Sequence, residues 1–166
     1  MDNFRLRPWH PDDLDSLVKN ANDLSIAKFL TNEFPHPYTA DAGRRFIEYA
    51  TSGETIHIFA IEVDGEAVGG IGIHPQRDIM VKNAELGYWL GTAYHGQGIA
   101  TAAVREMVNF GFNTYDITRI FARPFGSNIA SQKVLEKAGF SLEATIRGNI
   151  YKFGVVDDEL IYAIRK

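Results

Sequence analysis

The stretch from Tyr94 to Arg105, "YHGQGIATAAVR", decides how this chain is read. Gly96 and Gly98 stand one residue apart at the entrance of a segment whose Ala100, Ala103, Val104, Met107, Val108 and Gly111 recur at helical period. Glycine is the poorest helix former after proline, so two of them at a helix start signal backbone with a special conformation or a close approach. "NAELGYWLG" before them reads as a strand, which makes the pattern strand, glycine turn, helix. Backbone N–H groups then converge at the positive end of the helix dipole, an arrangement that suits an anion and above all a phosphate.

Working outward from this turn, "FRLRPW" alternates like a first strand. "HPDDLDSLVKNANDLSIAKFL" shows helical spacing through Leu14, Leu17 and Val18, with a start near Asp12 after Pro11. The Pro-rich "TNEFPHPYT" leads into a second helix that carries Phe46, Ile47 and Ala50 on one face. "IHIFAIEV" and "AVGGIGIH" are strands joined by Asp64-Gly65, a pair that tolerates the positive φ angles of a tight hairpin turn. Beyond the glycine turn and its helix, "RIFARP" is a strand and "SNIASQKVLEKAGF" a short helix stopped by Gly139. Strands around "SLEATIRGNIYKFG" and "DDELIYAIRK" follow. The order β-α-α-β-β-β-α-β-α-β-β predicts a mixed sheet covered by helices in a single domain over residues 1–166.

Composition narrows the function. A 166-residue chain with 45% hydrophobic residues fits one domain, and 17 basic against 21 acidic residues, in no long run, give no footprint for nucleic acid or an anionic membrane. The lack of cysteine removes disulfides, thiol catalysis and zinc–thiolate sites. The five histidines, at 10, 36, 57, 74 and 95, never fall at the spacing that sets two metal ligands on one helix face, so no metal is expected. "MDNFRLRPWHPDD" has no apolar signal core, and a cytoplasmic protein is the expectation.

Three phosphate-binding patterns compete for the turn. A P-loop would need Gly-Lys-Ser/Thr, which is missing. A dinucleotide fingerprint would need a third glycine where Thr101 stands, although Asp116 mimics its ribose-binding acid. The third pattern is the Q/R-x-x-G-x-G/A turn of the GNAT acyltransferases, here His95-Gly96-Gln97-Gly98-Ile99-Ala100, with His95 in place of the usual Gln or Arg. With "AELGYWLG", "SNIASQKVLEKAGF", "PYTADAGRRFIE", "YKFG" and "DDELIYAI" in the same order, the whole chain resembles the RimJ/RimL-like branch of that family. The resemblance implies an α/β (mixed α+β) GNAT fold: a central, mostly antiparallel mixed sheet of about seven strands flanked by about four helices.

It also implies an acetyl-coenzyme A-dependent N-acetyltransferase that acts on a primary amine, either a protein N-terminus or a small molecule. By resemblance, the N–H groups from Gly96 to Thr101 form the pyrophosphate cradle. Trp89, Leu90 and Gly91 pair with the pantetheine arm and supply an oxyanion N–H, and Asn128 contacts coenzyme A. "GYWLG" looks too apolar to alternate cleanly, as a strand with both faces occupied would. Glu85 is the candidate base because period two puts it on the face of Gly87 and Trp89; a salt-bridged or sheet-edge carboxylate is the alternative. Glu33 and Glu62 are lesser candidates.

Asn128 could instead only cap its helix. The family's usual tyrosine acid falls at Leu135, and Ser131, on the face shared with Asn128, is the substitute donor to the thiolate; an inert helix serine is the alternative. Substrate recognition is assigned to "TNEFPHPYT", to "PQRDIMVKN" and to the last hairpin. Glu33, Tyr38 and Tyr151 are its candidates, with structural roles open for both tyrosines. The rival reading is a non-catalytic GNAT-fold module that binds coenzyme A or a partner. The protein is expected to be a monomer or a homodimer.

Overall fold

Alternating apolar and charged residues make β1 (Arg5–Pro8), the edge of a seven-stranded sheet in a computed structural model that describes residues 3–54 and 56–166. A 3₁₀ turn at Pro11–Asp13 follows, closed by a capping box between His10 and Asp13, and leads into α1 (Leu14–Ala21). The long helical pattern from His10 onward is not one helix. Asn22 ends α1, and the Asp23 side chain accepts from the Ser25 N–H to start the single turn α2 (Leu24–Ala27). Among the described residues this short piece brings the helices to five, one more than the spacing suggests. Thr39 caps α3 (Ala40–Thr51) by accepting from the Ala42 N–H.

Next come β2 (Ile58–Val63) and β3 (Glu66–Pro75), whose turn places Asp64 at φ 50 and Gly65 at φ 86, the two positive angles that the sequence pair was expected to supply. The chain continues through β4 (Asn83–Leu90), α4 (Ile99–Thr114), β5 (Arg119–Ala122), α5 (Ile129–Lys137), β6 (Ser141–Lys152) and β7 (Val155–Arg165). The strand order is β1-β2-β3-β4-β5-β7-β6. Pairing is antiparallel at β1–β2, β2–β3, β5–β7 and β6–β7, and parallel at β4–β5.

The chain divides into two compact units. One holds everything up to Gly72 together with Tyr88–Ala103; the other holds Ile73–Gly87 and Val104–Lys166. The core of the first gathers Trp9, Leu17, Ala21, Tyr38, Ile47 and Ile58. Its β1–β2 edge is pinned by Glu62, which pairs with Arg5 at 2.7 Å and with Arg7, while Arg7 also grips Asp13 at 2.7 Å. The hydrogen bond from Arg5, joined by that from Arg7, holds the Glu62 carboxyl below the usual glutamate range. In the second unit α4 lies close on the strands: a Cβ at Gly111 would collide with Ile73 Cδ1 and stand 3.1 Å from Ile120 Cδ1. Gly139 (φ 102) ends α5, with the Phe140 N–H bonded to Leu135 O at 3.0 Å and the Gly139 N–H to Glu136 O at 3.1 Å. Among the described residues, no helix is long and apolar enough to cross a membrane.

Candidate active site

Both glycines of the decisive stretch adopt left-handed backbone, Gly96 at φ 74 and Gly98 at φ 79. A Cβ at either would meet no protein atom within 4 Å. Conformation rather than crowding therefore requires glycine here, since a side chain in this region costs roughly 1–2 kcal/mol. The Ala102 N–H bonds to Gly98 O at 3.0 Å as α4 begins, so the N–H groups of Ile99, Ala100 and Thr101 precede any intrahelical acceptor. These donors lie at the positive end of a 16-residue helix, where negative charge is favoured.

The side chains around the turn tie it down. His95 Nε2 lies 2.8 Å from Leu90 O; because a carbonyl only accepts, this nitrogen carries the proton. Gln97 Nε2 donates to Ala93 O at 3.2 Å. Thr92 Oγ1 donates to Asp23 Oδ2 at 3.0 Å, so the residue that starts α2 also anchors the turn. The Asp23 carboxyl is held below the usual range, first by the Ser25 hydroxyl.

The edge of β4 follows from its register. Gly91 N–H bonds to Val68 O at 2.8 Å and Gln76 N–H to Asn83 O at 2.9 Å, so odd-numbered residues of β4 direct their backbone groups at β3. Leu90, an even position, directs its N–H and C=O to the opposite edge, where the carbonyl takes the His95 ring. Of the expected Trp89–Gly91 donors, the Gly91 N–H is thus committed inside the sheet, and Leu90 carries the outward one. The ladder to β5 runs over Asn83–Glu85 only. In β4, Ala84, Leu86 and Leu90 are buried and Gly87 is exposed, while Tyr88 and Trp89 are half-buried. At the Trp89–Leu90 end both faces are covered, with Trp89 packed against the core of the first unit.

Trp89 lies over Gly70, where a Cβ would stand 2.8 Å from its Nε1, and meets Phe34 edge-on at 5.6 Å. Phe34 in turn touches Tyr38 at 5.0 Å. Sequence reasoning does not single out Phe34; its aromatic ring within a Pro-rich loop was the available signal. Tyr38 itself is only 4% exposed, and burial pushes its hydroxyl up to about 12, so it is a protonated core residue. Glu33 is exposed on the same loop. Glu62 is held by Arg5 and Arg7 at the β1–β2 edge.

The second unit carries the remaining candidates. Glu85 receives a two-pronged grip from Arg123, Nε to Oε1 at 2.9 Å and Nη2 to Oε2 at 3.1 Å, so it is the salt-bridged carboxylate that the alternative reading described. Asn128 caps α5, its Oδ1 accepting from the Ser131 N–H at 3.2 Å, so the capping reading of Asn128 is realised. Ser131 lies on the same half-buried face, whereas Leu135 is fully buried. Tyr151 projects from β6 and is 73% exposed. Asp116, the mimic of a ribose-binding acid, sits in the turn between α4 and β5 rather than at a strand's C-terminal end, and pairs with Lys82 at 2.6 Å. Among the described residues, no group of three potential ligands stands together for a metal ion.

The acetyltransferase (GNAT) domain family matches residues 3–141. YdaF of Bacillus subtilis (strain 168), provisionally named a ribosomal N-acetyltransferase, is 32% identical across 99% of this chain and 92% of its own length. Mycobacterium smegmatis RimJ, solved with a coenzyme A disulfide, superposes with a TM-score of 0.83 at 25% identity over 98% of this chain and 81% of that one. A GNAT-family acetyltransferase from Bacillus anthracis shares the fold with a TM-score of 0.86 at 22% identity, over 98% and 95% of the two chains. The chain belongs to the GNAT N-acetyltransferase family, in its RimJ/RimL-like branch.

Proposed function

We propose that this protein, acting as one domain in the cytoplasm, transfers an acetyl group from acetyl-coenzyme A to a primary amine, with no metal, nucleic acid or membrane involved. The acceptor is the α-amine of a protein N-terminus or a small-molecule amine. The name of YdaF favours a ribosomal protein, and the RimJ complex favours coenzyme A. The observation that carries the reading is the left-handed turn at Gly96 and Gly98, which opens the longest helix with its free N–H groups leading.

When bound, acetyl-coenzyme A supplies a thioester whose carbonyl carbon takes the amine nitrogen while the C–S bond breaks. The chain's own residues then divide the work. The N–H groups from Gly96 to Thr101, with His95 and Gln97 bracing the turn, hold the pyrophosphate. The outward Leu90 N–H donates to the carbonyl oxygen as charge grows on it. Glu85 takes the proton of the acceptor ammonium, directly or through one water. Asn128 keeps its Nδ2 group as a donor to coenzyme A while Oδ1 caps α5, and the Ser131 hydroxyl hydrogen-bonds the departing thiolate. Tyr151, Glu33 and the Phe34–Trp89 aromatic pair shape the acceptor side.

The test is transfer itself: purified protein, acetyl-coenzyme A, and a panel of free-N-terminus peptides and small amines, read as thiol release and acetylated product. Product from at least one amine supports the reading. Tight binding of acetyl-coenzyme A with no product from any acceptor replaces it with the non-catalytic module.

A further inference from the structure

The register β4–β5 sets Glu85 opposite Phe121, so Arg123, two residues beyond, projects from the same face and reaches across the diagonal. Its guanidinium meets both carboxylate oxygens in parallel. The far side of Arg123 faces Glu159 at 3.9 Å, and Glu159 is itself held by Asn149 Nδ2 at 2.8 Å and bridged through its backbone to Phe125. Arg123 is therefore fixed from two directions although half exposed. The hydrogen bond to Glu85 is the main cause of the raised basicity of the guanidinium.

A carboxylate has about four acceptor positions, and a two-pronged guanidinium takes one on each oxygen. Two positions remain, confined to the plane that the guanidinium imposes. From this we infer that Arg123 is a positioning residue for acetyl transfer: it aims the free lone pairs of Glu85 at the proton of the acceptor amine. The inference rests on the assignment of Glu85 as base. It gives Arg123 no contact with the acceptor, and it makes the planar fork, rather than positive charge alone, the property that matters.

The experiment is a double-mutant cycle on kcat with Arg123→Gln, Glu85→Gln and the pair, together with Arg123→Lys. Arg123→Gln is expected to lower kcat about 10–100-fold, the scale of a slight misplacement of a reacting group. Affinity for acetyl-coenzyme A and the acceptor KM should stay within about threefold, and Arg123→Lys should recover only part of the loss. In the Glu85→Gln background, Arg123→Gln should cost less than about twofold more, because the two residues act as one.

Full multiplication of the two losses overturns the proposal, as does a loss confined to acceptor KM, which would make Arg123 a substrate-binding group. If Arg123→Gln fails to fold, Arg123→Lys decides: lowered kcat at an unchanged melting temperature supports positioning, and unchanged kcat overturns it. Near-normal turnover of Glu85→Gln alone removes the base itself, an outcome read from that single variant and distinct from a failure of coupling.

Discussion

The turn from His95 to Thr101 and the Glu85–Arg123 pair serve the same proposed reaction, yet they are built in opposite ways. The turn is made of backbone, with two left-handed glycines and a helix start, and its bracing bonds from His95, Gln97 and Thr92 end on residues nearby in space within the first unit. The pair is made of side chains 38 positions apart, brought together by a three-residue parallel ladder. A backbone device tolerates changes of side chain but not of φ. A side-chain device tolerates neither the loss of a charge nor the loss of its plane.

Substitutions at the two regions should therefore separate binding from chemistry. The largest effect is expected at Glu85→Gln, which should lower kcat by about 10²–10⁴-fold while leaving acetyl-coenzyme A affinity nearly intact. Steady-state kinetics with calorimetric titration checks both halves, and equal losses in affinity and kcat would dissolve the contrast. Gly98→Ala should do the reverse. Forcing a Cβ into left-handed backbone costs roughly 1–2 kcal/mol, so affinity for acetyl-coenzyme A should fall about tenfold with kcat at saturation little changed.

How far these two regions could be read from sequence follows from the same contrast. Gly96 and Gly98 were legible because a φ requirement is local to the residue that meets it. So were Asp64-Gly65 and the stop at Gly139. Arg123 carried no sequence signal: only the fold decides that it lies beside Glu85 rather than in solvent. The break between α1 and α2 is hidden because Leu14, Leu17 and Val18 continue into apolar residues at plausible helical spacing, while Asn22 ends α1 and Asp23 starts α2 through one side-chain hydrogen bond. Tyr38 stands in a substrate-recognition loop by its sequence, with a structural role open, and packing against Phe34 holds it in the core. Glu62 reads as a lesser candidate base in the sequence, which carries no sign that Arg5 and Arg7 stand on either side of it.

Smaller effects sharpen the comparison at its edges. Asn128→Ala removes the α5 cap and should lower stability by about 1 kcal/mol in urea unfolding. An additional loss of acetyl-coenzyme A affinity would show that Nδ2 also reaches the ligand. Glu62 gives a pH signature with a definite sign. Its carboxyl is lowered in the folded protein, so its contribution is fully present above the ordinary glutamate value of 4.5 and is lost as pH falls below it. Urea midpoints should drop between neutral pH and about pH 3.5, and Glu62→Gln should make that drop shallower. An unchanged acid limb in the variant would mean that other carboxylates govern it.

The most direct test of the central claim, that the glycine turn is an acetyl-coenzyme A cradle, is thermal unfolding of the wild-type protein and Gly98→Ala with and without acetyl-coenzyme A. At about 100 times the dissociation constant, bound ligand adds about 2.7 kcal/mol, which should raise the wild-type midpoint by roughly 5–10 °C, and the variant should show a clearly smaller rise at the same concentration. No shift in the wild type at saturating acetyl-coenzyme A, or an equal shift in both proteins, would contradict it.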